Sequence, residues 1–365
     1  MSELRYTFPR DGIILSNAAG TVENGKLLIK PRVNALPNRE LTVNGVPLVF
    51  ADNYYAAKSP VALTPGVNTL TLCDTVSGER VEIEVRYFPN AHKKYRFSLD
   101  DNIWFLQNIA KKQDVYKSIF EDPYLTLLKT MHDRYGTKFH LNIYYECPEF
   151  GGFNLTDMPD KYKDEWKANS DWMRLSAHAN ANLPDRPYIS ATYEQTRFEF
   201  NRVNEQILRF AGEEAFADKV TTIHWGEATD GAVKAVRDLG VKAMPGCFQW
   251  GTHTNTDIAY NLTADQCALA DRYGMYYDKN TDMIYFRYSE ANIQGAPLDQ
   301  IHKNFLDEEK RRPLYRFREL CVHEEYFYPH YPAYIPNYYE RFDEAIRSCV
   351  EDGYEAAFVS EAFDI

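Results

Sequence analysis

Residues 95–102, near the start of the longer C-terminal region, read YRFSLDDN. A run typical of a buried β-strand, residues 95–99, ends in two adjacent carboxylates, Asp100 and Asp101. After it, similar short runs alternate with amphipathic segments of helical periodicity, a pattern typical of parallel strands joined by crossover helices. The sequence therefore predicts an α/β fold over residues 91–365, with enough strands to close a barrel.

The predicted elements of this region alternate along the chain. Strands are predicted at residues 95–99, 139–145, 173–178, 220–225, 241–248, 318–323 and 356–359. Helices are predicted at residues 124–135, 193–211, 230–239, 264–273, 298–309 and 338–352.

Residues 1–90 have a different pattern, in which short runs of alternating apolar and polar residues are separated by turn sequences such as Asn-Gly and Pro-Gly. Such a pattern predicts a small all-β sandwich domain. Its second half, residues 43–88, resembles the immunoglobulin-like modules that accompany many carbohydrate enzymes, which implies a structural or docking role. The linker at residues 89–93 is short, so the two domains are expected to pack closely.

The composition limits the class of protein and the kinds of partner. The 365 residues exceed what one core usually serves, and 44% of them are hydrophobic, as in soluble globular proteins. The formal net charge of −12 disfavours nucleic acid and anionic membranes as partners. The chain has no run of 18 apolar residues and no signal-peptide pattern, which predicts a cytoplasmic location without a membrane span. Its six cysteines lack CxxC spacing and are expected to be reduced thiols.

Ionisable residues recur where the predicted strands end. They are Asp100, Asp101, Glu146, His178, His224, His323, Glu324 and Glu361. Because the carboxyl ends of parallel strands meet on one face of a barrel, these side chains are expected to share a site. The alternative is that each has a local structural role, for example an Asp pair that caps the following helix or a hydrogen-bonded imidazole.

The residue types in this set indicate metal-assisted hydrolysis. Two adjacent carboxylates allow one to bind a cation while the other acts as a base, and the imidazole of His178 adds a further ligand. Such donors suit a divalent metal, with zinc expected and cobalt, nickel or manganese as alternatives. The reaction of such a centre is hydrolysis of an amide or ester.

Several motifs resemble those of the polysaccharide deacetylase family. The motifs are FSLDDN at 97–102, YGTKFHLNIYY at 135–145, LSAHANAN at 175–182, HWGEATDGAVKAVRDLGVKAM at 224–244 and LCVHEEYF at 320–327. The resemblance covers residues 94–365 and implies a distorted barrel of seven or eight strands. It also implies a metal-dependent enzyme that removes acetyl groups from N-acetylated or O-acetylated sugars.

The resemblance assigns roles residue by residue. Asp100 takes the place of the catalytic base and His323 that of the general acid. Asp101 and His178 take the places of metal ligands, and Asn182 stands where the family has a second ligand histidine. Because an Asn side chain is a weak neutral ligand, His224 or Glu324 could be recruited instead. The family's arginine has no clear counterpart, and Arg174 or Arg186 could serve.

Substrate-binding residues are also expected around this site. The set is Tyr145, Arg186, His224, Trp225 and Glu324, with Asp185 and Tyr188 at the rim and Trp250 as a further stacking ring. Aromatic rings pack on the apolar faces of sugars, although the many aromatic residues of this chain could equally fill its core. The segment NLPDRPY at 182–188 could likewise be an ordinary turn.

Three functions remain open at this point. The first is a metal-dependent hydrolase that deacylates a carbohydrate or a related small amide. The second is a carbohydrate-binding barrel that has lost catalysis through Asn182. The third is a glycoside hydrolase that pairs Asp100 or Asp101 with Glu324, Glu325 or Glu361. The sequence does not indicate the oligomeric state.

Overall fold

The structure is a computed structural model that describes residues 4–149, 151–248, 259–289 and 291–365. The region before residue 89 is built from short strands and turns. Its strands are β1 (Arg5–Phe8), β2 (Ile14–Leu15), β3 (Thr21–Glu23), β4 (Lys26–Ile29), β5 (Arg32–Asn34), β6 (Leu41–Val43), β7 (Val46–Ala51), β8 (Tyr54–Ala57), β9 (Val61–Leu63), β10 (Gly66–Asp74) and β11 (Arg80–Tyr87).

The N-terminal strands form two sheets around their own core. The larger sheet has the order β1-β5-β8-β7-β6-β10-β11-β2, and the smaller has the order β3-β4-β9. Alternation along β10 buries Leu70 and Leu72, which pack with Leu27, Leu63 and Val85. The region is all-β as the sequence predicts, whereas its likeness to immunoglobulin-like modules and the boundary at residue 90 stay predictions.

The N-terminal sheets contact the rest of the chain along residues 273–279. Tyr273 belongs to the N-terminal hydrophobic core, and Ile13 forms an isolated antiparallel bridge with Tyr276. The guanidinium of Arg86 lies 3.1 Å from the ring centroid of Tyr277. Apolar, backbone and charged contacts therefore join the two regions.

The remainder of the chain alternates strands and helices. Its strands are β12 (Lys94–Asn102), β13 (Phe139–Tyr144), β14 (Glu146–Cys147), β15 (Phe153–Asn154), β16 (Met173–Ala179), β17 (Ala243–Gly246), β18 (Met275–Asp278), β19 (Met283–Arg287), β20 (Phe317–His323) and β21 (Glu355–Ala356). Its helices are α1 (Trp104–Lys111), α2 (Pro123–Tyr135), α3 (Lys163–Ala168), α4 (Tyr193–Phe210), α5 (Asp230–Asp238), α6 (Ala264–Tyr273), α7 (Ile301–Arg311), α8 (Tyr338–Glu351) and α9 (Val359–Phe363). Each of these helices is too short or too polar to span a bilayer.

Four parallel strands form a curled half-barrel in the order β16-β13-β12-β20, and β21 also pairs with β12. A second sheet has the order β17-β19-β18. Isolated β-bridges connect this sheet to its neighbours: Tyr288 pairs with Glu319 of β20, and Ala243 of β17 pairs with Val220. The fold is thus mixed α/β and barrel-like, while a regular barrel of seven or eight strands stays a prediction.

Two predicted strands are wrong in part. Residues 220–223 make no regular strand, and a short 3₁₀ turn follows at His224–Gly226. The predicted strand cannot continue to residue 225, because the φ of Trp225 is 70°, which is incompatible with an extended strand. The strand predicted at 356–359 is only β21, because the carboxylate of Glu361 accepts from the backbone N–H of Phe358 and begins α9.

One face of the half-barrel is apolar and packs against helices. Phe97 stacks on Phe342 of α8 with ring centroids 4.6 Å apart, and Phe139 lies 6.4 Å from the same ring. Because successive side chains of a strand point to opposite faces, the residues between these lie on the inner face.

The inner face is polar. Its side chains are Arg96, Ser98 and Asp100 of β12, His140, Asn142 and Tyr144 of β13, Ser176 and His178 of β16, and Glu319, Cys321 and His323 of β20. Arg96 and Glu319 form a fully buried ion pair at 2.5 Å. Above this pair, the Asn142 side chain hydrogen-bonds to Ser98 and Ser176. This network supports the residues at the strand ends.

Candidate functional site

A cavity of about 590 Å³ opens at the carboxyl ends of the half-barrel strands. Its wall includes Asp100 and Asp101 from β12, His178 from β16, His323 from β20 and His224 from the 3₁₀ turn. The structure thus brings these five residues, expected from the sequence to share one site, to the wall of one cavity. Their chemical roles stay predictions.

Asp101, His178 and His224 converge on one point. Oδ1 of Asp101 lies 3.0 Å from Nε2 of His178 and 3.1 Å from Nδ1 of His224. The two imidazole nitrogens are themselves 3.1 Å apart. Three potential ligand atoms thus form a nearly equilateral triangle at the cavity wall.

The hydrogen bond of His178 to the backbone sets which of its nitrogens faces the triangle. Nδ1 lies 2.6 Å from the carbonyl oxygen of Thr222, so Nδ1 carries the proton and donates it. In the neutral ring, Nε2 then directs a lone pair toward Asp101. An imidazole held in this way by a carbonyl oxygen is the usual arrangement of a metal-binding histidine.

The backbone at the end of β12 turns Asp101 into the cavity. Asp101 has a φ of 60°, and the pairing of β12 with β13 is interrupted between Leu99 and Asn102. A left-handed conformation is uncommon for a residue other than glycine, and such conformations concentrate at functional sites. The interruption places the carboxylate of Asp101 beside both imidazoles.

The electrostatics of the triangle favour a cation. Burial alone would raise the pKa of Asp101, but His323, His178 and His224 hold it well below its usual value. Burial alone would lower the pKa of His178, but Asp101 and Asp100 raise it. The site therefore stabilises a negative carboxylate facing positive charge, which either a proton or a metal ion can supply.

The donor set fits a divalent transition metal. In a tetrahedral zinc site with bonds of roughly 2.0–2.1 Å, neighbouring ligand atoms are about 3.3 Å apart. The observed separations of 3.0 to 3.1 Å are close to this value. Two imidazoles and one carboxylate also leave a coordination position open, as catalytic zinc sites do.

Asp100 lies beside this triangle with both oxygens occupied by donors. Its Oδ1 accepts hydrogen bonds from Ser98 at 2.9 Å and from Asn142 at 2.5 Å. Its Oδ2 accepts from the hydroxyl of Tyr288 at 3.2 Å and from the thiol of Cys321 at 3.4 Å. The network holds Asp100 in place, with Oδ2 facing groups that also line the cavity.

His323 lies opposite Asp100, its partner across the β12–β20 pair. Its Nδ1 lies 3.0 Å from Oε1 of Gln294, and its Nε2 lies 3.9 Å from Oδ2 of Asp101. The side chain is 29% exposed, so it is accessible from the cavity. This position suits the general acid predicted from the sequence.

Asn182 does not lie in the triangle, where His224 is found instead. The Oδ1 of Asn182 lies 3.3 Å from the hydroxyl oxygen of Tyr144, and its backbone oxygen lies 3.3 Å from Nε2 of His224. His224, expected to bind substrate, thus occupies the position of a third ligand. His224 is also one of the two residues expected from the sequence to replace Asn182.

Tyr145, expected to bind substrate, lies away from the cavity, and its neighbour Tyr144 reaches the site instead. Its ring lies 4.0 Å from the guanidinium of Arg202, and it is not among the described residues of the cavity wall. The ring that reaches the site is Tyr144, whose hydroxyl donates to Oδ1 of Asp101 and lies 3.2 Å from His224. Alternation along the strand puts the two tyrosines on opposite faces.

Glu324 has a structural role in place of the expected substrate contact. Its side chain is buried and accepts hydrogen bonds from the backbone N–H groups of Ile103, Trp104 and Phe105 at 2.6, 3.0 and 2.6 Å. It therefore caps the N-terminus of α1, which satisfies donors that the helix leaves free. Its neighbour Glu325 lines the cavity instead.

Glu325 is a buried carboxyl group at the cavity wall. Its Oε1 accepts a hydrogen bond of 3.1 Å from the Tyr331 hydroxyl. Burial, together with the nearby charge of Asp101, raises the pKa of Glu325 to about 9. At neutral pH the group is therefore protonated and can donate.

The rim of the cavity carries part of the predicted substrate-binding set. Trp225 is 41% exposed and lines the cavity. The guanidinium of Arg186 packs 4.8 Å from the ring of Trp225 and lies 2.5 Å from the carboxylate of Glu227. Asp185 also lines the cavity, whereas Tyr188 is fully buried and is wrong as a rim residue.

Other candidates lie away from the cavity. Arg174 packs over Phe358, and Glu361 pairs with Lys138 just before β13, at the opposite end of the strands. Neither is among the described residues of the cavity wall. Trp250 lies outside the described residues.

Several residues of the site were missed by sequence reasoning. They are Asn142, Tyr144, Tyr288 and Cys321, with Ser98 and Ser176 in the supporting network. The available signal was the alternation of polar and apolar residues in FHLNIYY and MRLSAHA, which predicts a polar inner face. These residues were missed because functional side chains were expected only at the strand ends.

Comparison with known proteins gives a fold likeness. The chain matches no protein-family model and no curated protein sequence. It resembles a 4-alpha-glucanotransferase from Thermococcus litoralis with a TM-score of 0.50 and 12% identity over 75% of this chain and 40% of that chain. At this identity the similarity concerns the fold alone.

Two deacetylases are also among the similar structures, at lower TM-scores. The Bc1960 peptidoglycan N-acetylglucosamine deacetylase has a TM-score of 0.40 and 11% identity over 76% of this chain and 90% of its own. The polysaccharide deacetylase Bc1974 from Bacillus cereus has a TM-score of 0.38 and 12% identity over 73% of this chain and 93% of its own.

Proposed function

We propose that the protein is a metal-dependent hydrolase that removes acyl groups, acetyl in particular, from a carbohydrate or a related small amide. The observation that carries the proposal is the convergence of Asp101, His178 and His224 within 3.1 Å of one another. These three residues are the proposed ligands, with Asn182 outside the set. The polysaccharide deacetylase-like motifs of the sequence agree with this chemistry.

The outer contacts of the ligands support a metal site. Thr222 fixes the orientation of His178, and Tyr144 donates to the carboxylate of Asp101. Outer partners of this kind orient metal ligands and increase their affinity. When bound, a cation such as zinc, cobalt, nickel or manganese polarises a carbonyl group and makes a water molecule more acidic.

Asp100 is the proposed general base. Its Oδ1 is fixed by Ser98 and Asn142, and its Oδ2, which accepts from Tyr288 and Cys321, faces the cavity. In this position it takes a proton from the attacking water. The two donors on Oδ1 keep the carboxylate in one orientation, so less entropy is lost when the reactive geometry forms.

His323 is the proposed general acid. Gln294 holds its Nδ1, so its Nε2 faces the cavity on the side of Asp101. From there it donates a proton to the departing amine or alcohol. The base and the acid come from adjacent parallel strands and therefore flank the same substrate.

The cavity wall supports a neutral or amino sugar as substrate. Its described residues include the carboxylates of Asp100, Asp101 and Asp185, and among them there is no Lys or Arg. An anionic substrate would be repelled by this wall. The exposed ring of Trp225 offers a stacking surface for a pyranose.

The first experiment is elemental analysis of protein purified without chelator. The parent is expected to hold about one equivalent of a transition metal that depends on Asp101 and His178, and Asp101→Ala and His178→Ala should each lose that equivalent. Asp100→Asn is the matched control, since it should keep the equivalent that depends on Asp101 and His178 but lose acetate release from acetylated sugars. A parent without metal, even after incubation with zinc, cobalt, nickel or manganese, would rule out the metal-dependent mechanism.

A glycoside hydrolase is the second candidate, and Glu325 is the observation that favours it. With its pKa raised to about 9, Glu325 is protonated at neutral pH and could act as the acid of a carboxyl pair with Asp100. Release of reducing sugar by metal-free protein, lost in Glu325→Gln, would favour this reaction. Sugar binding without turnover of either substrate class would instead indicate a carbohydrate-binding protein.

A further inference from the structure

We propose that a second cation site lies beside the first, formed by Asp100, Cys321 and His323 and suited to thiophilic divalent ions such as zinc or cadmium. The ligand atoms of these three residues lie within 4.8 Å of one another. All three line the same cavity. The site is separate from the Asp101, His178 and His224 triangle, since the two sets share no residue.

The pairing of two strands creates this second group. Asp100 on β12 lies opposite His323 on β20, and Cys321 precedes His323 by two residues and so faces the same side. The thiol of Cys321 lies 3.4 Å from Oδ2 of Asp100. Pairing of the two parallel strands and alternation along β20 thus bring sulfur, nitrogen and oxygen donors together.

Each donor has an atom directed into the cavity. Oδ1 of Asp100 is held by Ser98 and Asn142, whereas Oδ2 accepts the longer hydrogen bonds from Tyr288 at 3.2 Å and Cys321 at 3.4 Å and is the oxygen that would face a cation. Nδ1 of His323 is held by Gln294, which leaves Nε2. When a cation binds to Cys321, the thiol loses its proton to solvent and the sulfur binds the cation as a thiolate.

The donor types determine which ions would bind. A thiolate with an imidazole and a carboxylate favours zinc and softer ions over magnesium, calcium or manganese. The first site has only nitrogen and oxygen donors, so the two sites differ in their preference. Sulfur coordination therefore provides a spectroscopic mark for the second site alone.

Occupancy of the second site has a consequence that rests on the proposed function. The ion would engage Oδ2 of Asp100 and Nε2 of His323, the atoms assigned to the base and the acid. Excess zinc or cadmium would then inhibit hydrolysis. The existence of the site does not depend on that reaction.

The test is titration of the parent protein with cobalt(II), followed by elemental analysis and by absorption in the near ultraviolet. We expect two equivalents and a thiolate-to-cobalt charge-transfer band. Cys321→Ser should bind one equivalent and lack the band. Cys247→Ser is the matched control, since Cys247 lines the same cavity outside the group and its loss should leave both equivalents and the band.

His178→Ala separates this proposal from the proposed function, because it should lose one equivalent and keep the band. A parent with the band but without the equivalent that depends on His178 would refute the first site alone. A parent without the band, or a band that persists in Cys321→Ser or disappears in Cys247→Ser, would refute the second site.

A measurement on the parent guards against a Cys321→Ser variant that fails to fold. Alkylation by iodoacetamide, followed by peptide mass mapping, reports the accessibility of each thiol. Saturating cadmium should slow the modification of Cys321 at least about tenfold and leave that of Cys247 unchanged. Equal rates for Cys321 with and without cadmium would contradict the proposal.

Discussion

The hydroxyl of Tyr144 donates a hydrogen bond to Oδ1 of Asp101, the same oxygen that His178 and His224 face. Three groups from β13, β16 and the 3₁₀ turn thus meet on one carboxylate oxygen. Burial and the charge of Asp101 raise the pKa of Tyr144 well above its usual value, so it remains a donor at neutral pH. The phenol therefore orients the carboxylate without competing for the cation.

Tyr144→Phe removes this donor and keeps the ring. We expect metal affinity to fall by roughly 10- to 100-fold, as when outer-shell partners of metal ligands are lost. Competition with a chelator of known affinity measures the change. Tyr145→Phe is the control, because its ring packs on Arg202, and an equal loss in both variants would contradict the assigned role of Tyr144.

His224→Ala and Asn182→Ala distinguish the ligand set of the structure from that of the family motif. His224→Ala removes a direct ligand, so its loss of affinity should exceed that of Tyr144→Phe. Asn182→Ala should retain the metal stoichiometry of the parent. The reverse ranking in the same chelator assay would restore Asn182 as a ligand.

Glu324→Ala should destabilise the fold. Three backbone donors at the start of α1 lose their acceptor, which costs about 2 kcal/mol or more in the free energy of unfolding. Urea denaturation measures it. Glu325→Ala leaves that helix end intact and should be less destabilising, and similar values for the two variants would argue against the cap.

His140 gives the fold a pH dependence. Burial and the charges of Arg96 and Arg174 lower the pKa of His140 well below its usual value. The unfolded chain therefore binds the proton more readily, so this contribution to stability is present above about pH 6.5 and is lost as the pH falls. At pH 5 the loss amounts to up to about 2 kcal/mol.

His140→Gln keeps a polar partner for Ser176, to which His140 hydrogen-bonds at 2.7 Å, and removes the titrating group. Urea denaturation at pH 5 and pH 7.5 should show a smaller difference for the variant than for the parent. An unchanged difference would mean that other groups govern the acid sensitivity.

Trp225→Ala tests the rim. If Trp225 stacks on the sugar, KM should rise about tenfold, equivalent to roughly 1.4 kcal/mol of binding, with little change in kcat. Phe198→Ala, at an exposed ring that is not among the described cavity residues, should behave like the parent. A change confined to kcat would contradict a stacking role.

Much of the fold is predictable from periodicity. The helices predicted from residues 124, 193, 230, 264 and 338 begin within one residue of α2, α4, α5, α6 and α8. Their apolar faces and caps are local properties of the sequence, which explains the agreement. The hairpin of β18 and β19 was not predicted, because its position depends on contacts with distant residues such as Ala243 and Ile13.

The candidate site was predictable in part for a similar reason. Strand ends locate Asp100, Asp101, His178 and His323, since the ends of parallel strands meet on one face. Whether Asn182 or His224 joins the triangle depends on the turn at Trp225, which has a positive φ. Whether Glu324 or Glu325 faces the cavity depends on the direction of the 3₁₀ turn that contains them. Such details arise from tertiary packing and leave no periodic trace in the sequence.

The polar inner face of the half-barrel also specifies how the strands align as the chain folds. A shift of β12 by one residue would turn Phe97 and Leu99 inward and Arg96, Ser98 and Asp100 toward the helices. The buried guanidinium of Arg96 would then lose Glu319, and Asn142 would lose its partners, each at a large cost in free energy. The groups that build the site thus also reject misaligned strands, and changes made there to alter chemistry are expected to affect the fidelity of folding as well.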